Sequence, residues 1–181
     1  MSVVRRFFVM ESGRKKNKVS KKITLTSVLI ALTVVGAAIK VPAIIGSVAF
    51  DSFPALLGAA LLGGPAGAVV AGMGHLLSAL MGGFPLGALH GLVAIEMALL
   101  AFIFSLFYRL GRSWVAMILF VLGNTFVAPL PFIFFMGEAF YLALLPSLFV
   151  GSVLNMAIAL VAIPRLISIL GPRLSEGKVN L

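Results

Sequence analysis

Residues 88–108 read ALHGLVAIEMALLAFIFSLFY, with Glu96 as the single charged side chain, and the run stops at Arg109 and Arg112. At about 1.5 Å per residue, a helix over this stretch is about 31 Å long, the thickness of a bilayer's hydrocarbon core. Carbonyl and N–H groups have no partners in lipid other than each other, so a helix is the form such a run takes there.

The rest of the chain follows the same logic. Of its 181 residues 61% are apolar and 10% charged. Soluble domains hold about 45–50% apolar and about 25% charged residues, and one soluble core of this size could not hide so much apolar surface. Lipid is therefore the solvent for most of the molecule. Outward from residues 88–108, further apolar runs cover Ile23–Ile39, Phe53–Leu62, Pro65–Met81, Trp114–Phe135 and Tyr141–Leu170. Between them lie Val41–Ser52, the Gly63-Gly64-Pro65 turn, Gly82-Gly83-Phe84-Pro85-Leu86-Gly87, the Arg109–Arg112 connection and Gly137-Glu138. Asp51 or Ser52 reads as an N-cap, with Pro54 in the first turn where its missing N–H costs nothing. Pro129 and Pro131 are expected to bend the fifth run, and Pro146 and Pro164 to interrupt the sixth. The expected fold is all-α: a bundle of six transmembrane helices over 23–170, with basic tails at 1–22 and 171–181.

Charge sets the orientation. Eight of the fourteen basic residues precede Ile23: Arg5, Arg6, Arg14, Lys15, Lys16, Lys18, Lys21 and Lys22. Arg109, Arg112, Arg165, Arg173 and Lys178 mark later connections or the end, and only Lys40 falls elsewhere. With six spans all but Lys40 lie on one side, so the positive-inside rule places both termini in the cytoplasm. The basic tail reads as an arm held near anionic lipid and not as a nucleic-acid site. It is too long for a signal peptide and is followed by equally apolar chain, so the first span is expected to be retained in the membrane.

Polar groups at membrane depth are costly and usually face a partner or a wet cavity. His75, Glu96 and Asn124 lie about 9, 12 and 16 Å from the outer ends of three different runs. Residues lining one outward-facing pocket would share such a level, whereas a Glu96–His75 pair could serve helix packing alone. His90 opens the fourth run and could border the same cavity. Asp51, Phe53, Phe84, Glu138 and Tyr141 sit at the outer connections, where they could close a pocket, cap helices or anchor at the interface. Asn155, deeper on the last run, reads as glue between helices. Small residues at Ser27-x-x-x-Ala31, Thr33-x-x-x-Ala37 and through 55–74 allow close helix approach, either within this chain or against a partner.

Catalytic patterns are missing. There is no cysteine, the two histidines are fifteen residues apart, and neither His-Glu-x-x-His nor Gly-x-Ser-x-Gly occurs. No cofactor, metal or enzymatic activity is expected. The stretch ending Gly177-Lys178 lacks the spacing and the Ser or Thr of a phosphate loop. A small intramembrane enzyme using Glu96 and a histidine, or a membrane assembly subunit, are the alternatives from other classes.

Phe50-Asp51-Ser52-Phe53-Pro54-Ala55-Leu56-Leu57-Gly58, Gly63-Gly64-Pro65-Ala66-Gly67 and Gly74-His75-Leu76-Leu77 together resemble the substrate-binding S components of energy-coupling factor (ECF) vitamin transporters. The resemblance spans about residues 23–170. It implies a six-helix bundle in the bacterial plasma membrane that captures a vitamin-like molecule from outside. It also implies docking on a transmembrane T component with two cytoplasmic ATPases, followed by toppling in the membrane. Val41–Ser52 would be the lid. Ser27, Ala31, Thr33 and Ala37 would dock the T component, although the family's usual Ala-x-x-x-Ala is not intact here. Together with Gly-Phe-Pro-Leu and Ala94-Ile95-Glu96-Met97, the motifs look most like S components for alpha-ribazole, the lower-ligand nucleoside of cobalamin. Riboflavin S components share part of the pattern but commonly carry Lys-Asn near His75. An uncharged aromatic nucleoside needs an apolar slot and a few hydrogen-bonding groups. Phe84, Met97 and Phe126 are assigned to the slot, and Asp51, Phe53, His75, His90, Glu96, Asn124 and Glu138 to the polar edges and closure.

Overall fold

The computed structural model describes residues 3–42 and 47–175, with side chains described over 17–39 and 50–172. Residues 43–46 of the expected lid and 176–181 of the expected C-terminal tail lie outside the described residues.

Helix α1 runs from Val3 to Ala38 and is followed by a small antiparallel hairpin, β1 (Lys40–Pro42) and β2 (Ser47–Ala49). Then come α2 (Ser52–Leu62), α3 (Gly64–Met81) and α4 (Leu89–Arg109). The next passage is broken into α5 (Ser113–Leu122), a π-helical turn (Gly123–Val127) and α6 (Phe132–Met136). Helix α7 (Glu138–Ser175) completes the chain. Among the described residues, five stretches are long and apolar enough to cross a membrane: 17–38, 64–81, 89–109, 113–136 and 138–172.

The remaining expected span, Phe53–Leu62, is α2, an apolar helix of only 11 residues. At about 1.5 Å per residue it reaches roughly halfway through a hydrocarbon core. Its sequence suits the bundle interior, for Pro54 to Ala59 are all buried and α2 touches α1, α3, α4 and α7. A group at one end links α2 to its neighbour across the bundle: the Ser105 hydroxyl of α4 donates a 2.7 Å hydrogen bond to the Ala59 carbonyl.

The basic N-terminal stretch is helical, since its residues 3–22 continue α1 without a break. Nothing in that stretch stops a helix: it contains no proline and its charged side chains are good helix formers. Residues 41–52 are not wholly loop, since their described part holds both halves of the hairpin except Lys40. Lastly, α7 is not interrupted; Pro146, Pro164 and Pro172 all sit inside it. The bend expected at Pro129 and Pro131 is present as the turn between the π-helical segment and α6.

Close backbone approach builds the core. A methyl group placed on Gly67 would lie 2.5 Å from Ala59 Cβ and 2.6 Å from its Cα, so α2 and α3 meet at glycine. Gly74 does the same for α1, where a methyl group would meet Thr33 Cγ2 at 2.5 Å. Leu56, Ala59, Val70, Phe104, Ala116 and Ile163 are fully buried, while Leu99, Trp114 and Phe134 face outward. An apolar exterior of this kind suits contact with acyl chains, not water.

Candidate functional site

The hairpin end of the bundle encloses a cavity of about 20 Å³. Thr33 of α1, Asp51 and Ser52 at the start of α2, and His75 of α3 supply its polar lining. Leu56, Met97 and Phe120 supply much of its apolar wall. As it stands the space accommodates about one water molecule.

The start of α2 borders this cavity. Asp51 occupies the N-cap position, as its sequence suggests, yet its side chain caps nothing. The capping oxygen comes from α7: Asn155 Oδ1 accepts from the backbone N–H groups of Ser52 at 3.1 Å and Phe53 at 2.9 Å. Asn155 is therefore an inter-helix cap, a specific form of the glue its position suggested. Asp51 itself accepts a 3.2 Å bond from the Ser52 hydroxyl. Burial pushes the Asp51 carboxyl up from its ordinary value of 3.8, and the hydrogen bonds offset part of that rise.

His75 does not meet Glu96. Its Nε2 lies 3.1 Å from Nδ1 of His90, which is buried at the start of α4. His90 Nε2 accepts a 3.3 Å bond from the Leu86 N–H in the α3–α4 connection. The Phe84 ring stands edge-on to His90 at 5.4 Å, on a residue with φ +50°, a left-handed conformation uncommon for bulky side chains.

Asp51, His75 and Met97 are thus the sequence-assigned residues that line the cavity. His90 and Phe84 stand behind His75, and Phe53 contributes its backbone N–H to the Asn155 cap. Glu96, Asn124, Phe126 and Glu138 are not among the lining residues. Glu96 is half-buried, Phe126 and Glu138 are exposed. Asn124 belongs to a different polar group in the π-helical turn, where its Nδ2 donates to Ser152 Oγ at 2.7 Å. Its Oδ1 and the neighbouring Thr125 hydroxyl are buried without a partner among the described residues. Of Glu96, His75 and Asn124, His75 alone is among the residues that line this cavity.

Thr33 also changes role. It is buried, donates back to the Leu29 carbonyl at 3.1 Å and lines the cavity, so it cannot form part of an exposed docking face. Ser27 and Ala31 are exposed and Ala37 partly so. Ser52, Leu56 and Phe120 join the lining without having been assigned to the site; Ser52 was read as a cap, and no local pattern distinguishes Phe120 from other span residues. Among the described residues no three His, Asp or Glu side chains are grouped to hold a metal ion.

A family model described as "ECF transporter, substrate-specific component" matches residues 21–168. No curated protein and no solved structure matches the chain.

Proposed function

We propose that this chain, which belongs to the family of ECF transporter substrate-specific components, captures a vitamin-class solute at the hairpin end and passes it inward with partner subunits. Members of this family bind substrate and do not catalyse; ATP hydrolysis belongs to their partners. The observation that carries the reading is the cavity itself, where polar groups of α1, α2 and α3 meet an apolar wall from α4 and α5.

Orientation follows from charge and geometry together. Arg109 Nη1 would lie 2.9 Å from a methyl group on Gly63, so the α2–α3 turn and the end of α4 share one end of the bundle. That end carries Arg109 and Arg112, and the positive-inside rule assigns it to the cytoplasm with both termini. The hairpin and the cavity then face outside. The partners are a transmembrane T component and two ATPases, with the exposed Ser27–Ala31 face of α1 as the docking surface.

Alpha-ribazole is our substrate assignment, carried by the motif resemblance and compatible with a lining of Phe120 and Met97 beside His75 and Asp51. A nucleoside does not fit the space of about 20 Å³. Binding therefore requires the helices that line the cavity to separate. Mass spectrometry of the protein purified in detergent tests the assignment. Alpha-ribazole retained near one per chain is the expected result; retained riboflavin would replace the substrate, and no saturable binding of either would reject the assignment.

A further inference from the structure

The histidine pair has only one consistent arrangement of protons. A backbone N–H can donate and cannot accept, so the Leu86 bond makes His90 Nε2 an acceptor. An imidazole with an accepting Nε2 carries its proton on Nδ1. His90 Nδ1–H must then be the donor to His75 Nε2, 3.1 Å away. His75 Nε2 accepts, which leaves its proton on Nδ1. No other protonation satisfies both bonds without an imidazolate. His75 Nδ1 has no partner among the described residues, and His75 lines the cavity.

We infer that Leu86, His90 and His75 form a directed hydrogen-bond relay that presents one N–H donor, His75 Nδ1, to the occupant of the cavity. The matching occupant places a hydrogen-bond acceptor at this N–H, and for the proposed nucleoside that acceptor is the free ring nitrogen of its base. His90 is a positioning residue: it fixes the tautomer and the ring of His75 and ties them to the α3–α4 connection. Phe84 braces it from the other side. The substrate part of this inference rests on the proposed function, since it takes the cavity to be the solute site. The relay does not.

The chain has two histidines, so nitrogen-15 histidine labelling gives a spectrum with two rings to assign. In full-length protein in lipid nanodiscs, both rings should be in the Nδ1–H tautomer, the minor form in water. An Nε2–H tautomer or averaging between tautomers at either ring overturns the relay. The second arm compares alpha-ribazole, whose benzimidazole keeps one free ring nitrogen, with the indole isostere carrying C–H there. Loss of one hydrogen bond should weaken the isostere about tenfold, and His75→Phe should abolish the difference. Equal affinities for wild type overturn the donor assignment. If wild type binds neither nucleoside, the substrate assignment fails while the tautomers still decide the relay.

Discussion

Asn155 Oδ1 accepts a 2.9 Å hydrogen bond from the backbone N–H of Phe53, fastening the last helix to the start of the most buried one. Its second bond, from Ser52, makes one amide side chain the acceptor for two helix-start N–H groups. Asn155→Leu leaves both without that acceptor at a cost of about 1–3 kcal/mol each. The variant should melt several degrees lower in detergent, whereas Asn155→Asp, which keeps an acceptor, should lose less. An unchanged melting temperature for Asn155→Leu would show that the cap contributes nothing.

Asp51 should make stability depend on pH. Its carboxyl is raised by burial, so the folded state favours the proton. The associated stability is fully present below the ordinary value of 3.8 and is lost as pH rises through the raised folded value. Asp51→Asn removes this dependence. Melting temperatures of the two proteins should diverge with rising pH, the variant gaining on wild type; parallel curves from pH 4 to 8 would contradict the argument.

Gly67 and Gly91 should respond to alanine in opposite directions. A methyl group on Gly67 collides with Ala59, and overpacking of this kind costs about 1–3 kcal/mol. Around Gly91 nothing lies within 4 Å, so alanine there gains up to about 1 kcal/mol from helix propensity. Thermal unfolding of the two variants side by side checks the sign.

The cavity lining separates two carboxylate and imidazole candidates. His75→Ala should weaken alpha-ribazole binding about tenfold, the worth of one hydrogen bond. Glu96→Gln should change it by less than about twofold, because Glu96 is not among the lining residues. Calorimetric titration of both variants measures the contrast, and a larger effect at Glu96 would move the solute site.

The exposed face of α1 can be tested apart from the cavity. Ser27→Leu and Ala31→Leu add bulk where small residues permit close helix approach. Uptake by cells should fall at least tenfold, which corresponds to about 1.4 kcal/mol of lost association, with solute affinity of the purified protein unchanged. Normal uptake would remove this face from the docking surface.

Much of the bundle was legible in the chain. Length and apolarity marked the long spans, and Gly63-Gly64-Pro65 and Gly137 marked breaks that the structure contains. The start of α2 was legible at Asp51-Ser52, but the capping group was not, because Asn155 lies more than a hundred residues away. Counting residues from a span end locates a side chain along the helix axis and says nothing of its azimuth, and it is azimuth that brings His75 within 3.1 Å of His90. The helical form of the basic stretch is not legible from an apolar period, because it has none. A helix extending from a bundle needs no such period, since it has no core to face.

The unbroken α1 has a mechanical consequence. Its 36 residues make a rod of about 54 Å, against a hydrocarbon thickness of about 30 Å. The stretch before Ile23 carries its basic residues, and near the other end Thr33 is wedged against Gly74 beside the cavity. Any force that grips the overhang acts with a long moment arm. A small swing at the protruding end then bears on the contact of Thr33 with α3, at the wall of the cavity.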